Sequence, residues 1–411
     1  MAQSRKDNKG RVLRKGEYQR SKDGKYVYQY TDALGRKQNI YSDDLAKLRE
    51  REQKLIRDQM DGLDIYVAGR ADVNFLFDRY MSTKSELRDS TRSNYLYTYD
   101  HFVRDTFGKK IINKVKYSDV VGFYNYLLVE KDLTISTVEA VHHLIYPSFR
   151  IAVRDEIIRV NPAEGVLTEI KKRSGKNKGV RHALTVDQQR AFLTFIAGDP
   201  VYCFWLPLMV FLFGTGCRIG EAIGIRWDDI DLENQTIDIN HTVTYYPRYD
   251  NRQCEFAVSK PKTEAGTRII PMVEEVHEML SDELEEQKEN GFCTATIGDM
   301  SGFVFSNHVG GVHKPQTVNK AIERIRTTYN AQEEVNAKKE HREPVIIPHF
   351  SCHHIRHTFC KRFCESETNL KVIQEVMGHA DIQTTMDIYA EATAQSKKEA
   401  VARLSKNIKI F

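Results

Sequence analysis

Apolar and polar positions alternate with period two near the amino terminus, and over most of the remaining chain they recur at helical spacing. Lys25-Tyr26-Val27-Tyr28-Gln29-Tyr30 alternates, and Arg14–Arg20 and Lys37–Tyr41 flank it across turns at Ser21-Lys22-Asp23-Gly24 and Asp32-Ala33-Leu34-Gly35. Three short strands are expected. Ser42 is placed to cap a following helix, with Asp43 and Asp44 in its first turn and Leu45, Leu48, Leu55 and Ile56 as its apolar stripe. From Ala71 to Gly165 the period is helical: Phe75–Tyr80, a Ser90-capped run through Val103, Ser118–Val129 and Ser136–Val153, ended by Asn161-Pro162. Lys171-Lys172-Arg173-Ser174-Gly175-Lys176-Asn177-Lys178-Gly179 is basic, acid-free and interrupted by Gly and Ser, the composition of a linker. Beyond it, Thr185 opens an amphipathic helix, Phe204–Phe213 reads as a buried one, and strands are expected at Thr236–Val243, Glu255–Val258 and Thr267–Pro271. Tyr329–Pro348 is charged and aperiodic, and reads as a surface insertion. The pattern predicts a multidomain, mainly α protein with small β-sheets: residues 1–65, a helical block 71–168, a linker 169–180, and a mixed α/β block 181–411.

Composition adds constraints. A chain of 411 residues with 41% apolar content is long enough for two or three domains at ~150 residues each. No apolar run approaches the ~18 residues of a membrane span, and the first thirty residues are polar and basic, so a cytoplasmic protein without a membrane partner is expected. The net charge of +4 averages opposing regions: residues 1–41 hold eleven Lys and Arg against four acids, whereas residues 274–289 hold eight acids and one Lys. That asymmetry suggests one face for nucleic acid and another for water. Seven cysteines without regular spacing read as reduced thiols. Cys352, His353, His354, His357, Cys360 and Cys364 cluster, but one short helical stretch cannot wrap a tetrahedral zinc ion alone.

The chemistry concentrates at the carboxyl end. Cys352-His353-His354-Ile355-Arg356-His357-Thr358-Phe359 is followed by Met377-Gly378-His379 and Asp387-Ile388-Tyr389. Upstream stand Gly214-Thr215-Gly216-Cys217-Arg218-Ile219-Gly220-Glu221 and Pro261-Lys262-Thr263. Two guanidinium forks, an amine, two imidazoles and a phenol fit chemistry on a phosphodiester: the forks match paired non-bridging oxygens, and a phenol is a nucleophile once a base is near. Each motif alone is weak; the ordered set is specific.

This ordered set resembles the tyrosine recombinases, or phage integrases, and within them the integrases of conjugative transposons. The resemblance implies Tyr389 as nucleophile, Arg218 and Arg356 on the non-bridging oxygens, His353 as base, His379 as a further member of the site, and Lys262 as general acid to the leaving 5′ oxygen. Lys260 competes for that last role, but the family's Lys-Thr turn before an Arg-x-x-Pro strand favours Lys262. A Tyr is only ~0.1% ionised at neutral pH, so Tyr389 needs this positive site and a base. Two positions meet the family pattern loosely: His354-Ile355 stands where Asp-Leu is common, and Glu221 resembles the structural acid after the first Arg.

The resemblance also implies an arm-type DNA-binding domain at the amino terminus, with Arg14, Lys15, Arg20, Lys25 and Lys37 on DNA, and a core-binding domain with Arg92. Lys171, Lys172, Arg173, Lys176 and Lys178 would lie on the DNA backbone along the linker. Double-stranded DNA, assembly to a dimer or tetramer on it, and an excision factor are the expected partners, and no cofactor is expected. The rivals are a type IB topoisomerase, which religates the same strand, and a non-catalytic DNA-bridging protein.

Overall fold

The computed structural model describes residues 5–31, 37–60, 70–174, 182–248, 252–261 and 263–390. Two compact units emerge, residues 1–177 with 248–250, and residues 178–247 with 251–411.

The first unit contains two distinct apolar cores. Strands β1 (Glu17–Gln19), β2 (Tyr26–Thr31) and β3 (Lys37–Ser42) form an antiparallel sheet in sequence order. Its register places Val27 between Tyr18 and Tyr41, and Gln29 beside Asn39. Because side chains alternate across a pleat, Tyr26, Tyr28 and Ile40 share the face that packs with Leu13 on Leu45 and Leu48 of helix α1 (Leu45–Met60). The opposite face presents Tyr18, Gln29, Asn39 and Tyr41 outward. Asp44 is the cap of α1, its carboxylate accepting from the amides of Ala46 at 2.8 Å and Lys47 at 3.1 Å. Ser42, the expected cap, instead accepts from the Asp44 amide at 3.3 Å, one step before the helix.

The second core is built by α2 (Val73–Ser82), α3 (Asp89–Phe102), α4 (Tyr117–Val129), α5 (Ile135–Arg154) and α6 (Val166–Ser174). The Phe77 and Tyr99 rings stack at 3.6 Å at its centre. Side-chain caps stop two of these helices from fraying: Asp72 accepts from the Phe75 amide at 2.9 Å and Thr134 from the Thr137 amide at 3.3 Å. Helix α3 starts one residue before Ser90, behind Arg88, which makes no side-chain cap bond. Residues 169–174, expected in the linker, belong to α6, because Val166 and Ile170 recur one turn apart and are both buried in this core.

In the second unit, α7 (Val186–Gly198) opens on the expected Thr185, whose hydroxyl and the Gln188 amide form a reciprocal capping box. Helix α8 (Leu206–Thr215) is almost wholly buried and leads to the one-turn α9 (Ile219–Ala222). The run 236–243 does not form one strand. It splits into β5 (Thr236–Ile239), which joins β4 (Ile230–Asp231) and β8 (Arg268–Pro271), and β6 (Thr242–Pro247), which forms a separate two-stranded sheet with β7 (Cys254–Ser259). The break falls at Asn240 and His241, whose side chains bond Asp229 at 2.9 Å and the Gly224 carbonyl at 2.6 Å instead of continuing a ladder. Helix α10 (Glu274–Asn290) carries the acidic run. Helix α11 (Pro315–Glu340) continues through half of the stretch expected to be an aperiodic insertion. Tyr329, Glu333 and Ala337 are buried along it at four-residue spacing, and Arg342 forks onto the Glu333 carboxylate. The chain then runs through α12 (Cys352–Ser366), α13 (Leu370–Met377) and α14 (residues 382–390). Among the described residues, no helix is long and apolar enough to cross a membrane.

Candidate active site

Helix α8 ends at Gly216, whose left-handed backbone (φ 62°) turns the chain sharply. A side chain there would also meet the Phe359 ring at 2.4 Å. The turn makes Arg218 the residue that starts α9, with its own amide donating to the Glu221 carboxylate at 3.0 Å. Its guanidinium donates to Glu221 at 2.7 Å and to the Gly378 carbonyl at 3.0 Å, while about half of the side chain stays accessible.

Arg356 projects from α12 one turn beyond its start, on the same face as His353, and is buried. One Nη donates to the Gly216 carbonyl at 2.8 Å and the other to the Met377 carbonyl. Burial, followed by the nearby Arg218 charge, pushes its pKa down to about 10, so it remains a cation at neutral pH. His353, in the first turn of α12, is exposed toward the cavity these groups line. His354 helps cap α12, its Nδ1 lying 3.0 Å from the Ser351 hydroxyl, and Ile355 is fully buried, so the loosely matched pair serves helix start and core.

Gly378 closes α13 in the left-handed region (φ 61°), and a β-carbon there would come within 2.9 Å of the Ala265 carbonyl and of Arg268. The next residue, His379, is buried, its Nδ1 3.0 Å from the Thr385 hydroxyl on α14. Burial first, and then the charges of Arg356, Arg218 and Arg268, lower its pKa to about 4, so the ring is neutral under ordinary conditions.

A cavity of about 360 Å³ therefore gathers Arg218, His353, Arg356 and His379, with Thr384 and Ile388 of α14 on its wall. Tyr389 follows Ile388 and packs in the small cluster of Cys360, Cys364, Ile373 and Met377 beside it. Lys262 lies outside the described residues.

Arg268 was not among the site residues expected from sequence. It is buried at the start of β8 and donates to Glu221 at 2.9 Å, to the Val376 carbonyl at 2.7 Å and to the Gly266 carbonyl at 3.2 Å. Burial alone would raise the Glu221 pKa, but Arg268 above all holds it below the usual carboxylate range. The Glu221–Arg268 pair thereby ties the turn that bears Arg218 to the corner before His379 and to the strand following Lys262.

All the expected DNA contacts but Lys178 fall in the first unit. Arg14, Lys15, Lys25 and Lys37 are exposed around the amino-terminal sheet, and Arg20 lies over the Tyr41 ring at 5.7 Å. Arg92 donates to the Lys84 carbonyl at 2.7 Å. Lys172 is exposed, while Lys171 and Arg173 hold the carboxylates of Glu139 and Glu169. Lys176 and Lys178 fall outside the described residues.

Residues 182–396, which contain every group of this cavity, match the phage integrase family. The chain belongs to that family. It is a tyrosine-type site-specific recombinase, as the order of its motifs implied. Residues 1–59 match the DNA-binding domain of the Tn916 integrase. The recombinase is 30% identical over 420 residues to the transposase of transposon Tn1545 from Streptococcus pneumoniae, an alignment covering 99% of this chain and 98% of the relative. It is 29% identical, with the same coverage, to the transposase of transposon Tn916 from Enterococcus faecalis. The Tn1549 transposon integrase, solved in complex with transposon right end DNA, superposes with a TM-score of 0.69 at 27% identity, over 81% of this chain and 99% of that one. The resemblance to integrases of conjugative transposons is thus borne out along essentially the whole length of this recombinase.

Proposed function

We propose that this recombinase integrates and excises a mobile DNA element by transesterification at Tyr389. The observation that carries the reading is the single cavity in which Arg218, His353, Arg356 and His379 converge beside the helix of Tyr389. In this scheme the Tyr389 oxygen attacks the scissile phosphorus, its proton passes to His353, and the bond to the 5′ oxygen breaks. Lys262 supplies the proton that the departing 5′ oxygen takes up. Arg218 and Arg356 hold the non-bridging oxygens, and neutral His379 donates one further hydrogen bond as charge develops there. The phosphotyrosyl link keeps the bond energy, so the 5′ hydroxyl of a partner duplex reverses the step without ATP. Pairs of protomers exchange strands in turn through a Holliday junction.

Double-stranded DNA at the element ends and target is the substrate, with the protein assembling on it as a dimer or tetramer, aided in excision by an accessory factor. The working compartment is the bacterial cytoplasm. The solved complex of the similar Tn1549 integrase with transposon end DNA supports this assignment. The deciding test incubates the protein with nicked duplexes bearing the joined ends of its own element and then denatures the mixture. A covalent adduct with joining restricted to those ends supports recombination, whereas relaxation of any supercoiled plasmid would indicate a topoisomerase.

Lys262→Ala should cleave ordinary DNA slowly, by roughly 10²- to 10⁴-fold, and recover when the leaving 5′ oxygen is replaced by sulfur, because a thiolate departs unprotonated. Lys260→Ala should have a mild effect in the same assay. Absence of rescue in the Lys262 variant would remove the general-acid assignment.

The amino-terminal sheet is the proposed arm-type module, its Tyr18, Gln29, Asn39 and Tyr41 face reading the groove while Arg14, Lys15, Arg20, Lys25 and Lys37 hold phosphates. A fragment of residues 1–65 should bind element ends by itself, with a log–log salt slope of about −4.5 for five phosphate contacts. Replacing Lys25 and Lys37 by Ala should flatten that slope by about 2. Arg92, Lys171, Lys172, Arg173, Lys176 and Lys178 complete the proposed backbone contacts, the core-binding block holding the short sites at which strands are exchanged.

A further inference from the structure

Thr385 has no place in the mechanism above, yet it is fully buried, and among the described residues its hydroxyl meets Nδ1 of His379 at 3.0 Å. A neutral imidazole carries one proton, and the hydrogen bond at one nitrogen decides which nitrogen keeps it. If the hydroxyl donates to Nδ1, the proton resides on Nε2, the only ring nitrogen left to meet a phosphate oxygen in the cavity. The opposite tautomer would aim a lone pair at an anion and leave the buried hydroxyl hydrogen without an acceptor. Thr385 also stands one helical turn before Tyr389 on α14.

Resting on the recombinase reading, we propose that Thr385 is a positioning residue that sets the tautomer of His379, so that this imidazole donates to the scissile phosphate only while the nucleophile's helix is docked. One segment then places the attacking oxygen and also switches on a hydrogen-bond donor for the phosphate. A shift of α14 withdraws both together, so a protomer whose tyrosine is displaced also loses part of its phosphate-binding site. His379 is faced by Arg356 and His353 from α12, by Arg218, by Arg268 and by Asp381, and these groups are unchanged in the variants below.

The test is single-turnover cleavage of the nicked joined-end duplex by the full-length protein. Thr385→Val keeps the side-chain shape and removes the hydroxyl. It should bind the duplex normally and cleave on the order of tenfold or more slowly, as expected when an imidazole loses the partner that orients it. Thr385→Ser should restore most of the rate. The ratio of variant to wild-type rates should stay constant through neutral pH and climb toward one only as pH falls toward about 4, where the ring takes up its second proton, donates from both nitrogens and no longer needs a tautomer selected. In a His379→Ala background, Thr385→Val should cost nothing further. Should the Val variant not fold, Thr385→Ala carries the same expectations. Wild-type rates in the Val variant, a Ser variant as slow as the Val one, a rate ratio that stays flat down to about pH 4, or an additive loss in the His379→Ala background would each overturn the proposal. A wild-type protein that forms no adduct at all would instead remove the recombinase reading, and this proposal with it.

Discussion

Tyr389→Phe should bind element-end DNA like the wild type yet form no covalent adduct, its cleavage rate falling by about four orders of magnitude or more, as expected when an enzyme loses its nucleophile. Denaturing gels of labelled nicked duplex read this directly. The competing possibility is another tyrosine, and Tyr329 was the one to consider on sequence grounds. The fold argues against it: Tyr329 is buried in α11 with its ring 5.5 Å from Phe195, and burial raises its pKa. An adduct that persists in Tyr389→Phe would overturn the assignment of the nucleophile.

Glu221→Gln should destabilise the second unit by about 3–5 kcal/mol, since it strips a buried guanidinium, Arg268, of its counter-charge without changing shape. Both tryptophans, Trp205 and Trp227, lie in that unit, so their fluorescence during urea unfolding reports it selectively. Adding Arg268→Met should recover much of the loss, because an apolar chain of similar length needs no partner. The pair also carries a pH signature. The Glu221 pKa is depressed in the folded protein, so its contribution is complete above the ordinary carboxylate range and disappears as pH falls through that depressed value. A wild-type midpoint that does not decline on acidification relative to the double variant would contradict this account.

Much of the site was legible because its members announce themselves in short local patterns. Gly216 before Arg218, the His353-to-Arg356 spacing and Gly378 before His379 each combine a chain-turning residue with a charged or titratable one. Arg268 stood in the Arg-x-x-Pro strand used to choose Lys262, but neither its own role nor that of Thr385 was legible, since both depend on partners 47 and 6 residues away that only the fold brings into bonding distance. The same division holds for the elements. Helix α11 was lost in its second half because the inward position between Tyr329 and Ala337 is Glu333, a charge whose partner Arg342 lies beyond the helix end. The strand at 236–243 was read as continuous because alternation persists through Asn240 and His241, whose side chains are taken up by tertiary bonds. The linker was drawn too early because the lysines that mark it begin inside α6, on the outer face of a helix anchored by Val166 and Ile170.

Arg356 is gripped by carbonyl groups of Gly216 and Met377, which lie 161 residues apart in the chain. The side chain is therefore a fastener that closes two loops on each other, besides the phosphate-binding role proposed for its charge. A genetic screen for inactive alleles would recover changes at Arg356 readily and score them as catalytic, although a large share of the defect would be failed folding. Alleles at Arg218, half exposed and anchored mainly to its own turn, should separate more cleanly into stable, inactive protein. Dominant-negative behaviour, which requires a folded subunit that still enters the assembly, is thus expected from Arg218 substitutions and not from those at Arg356.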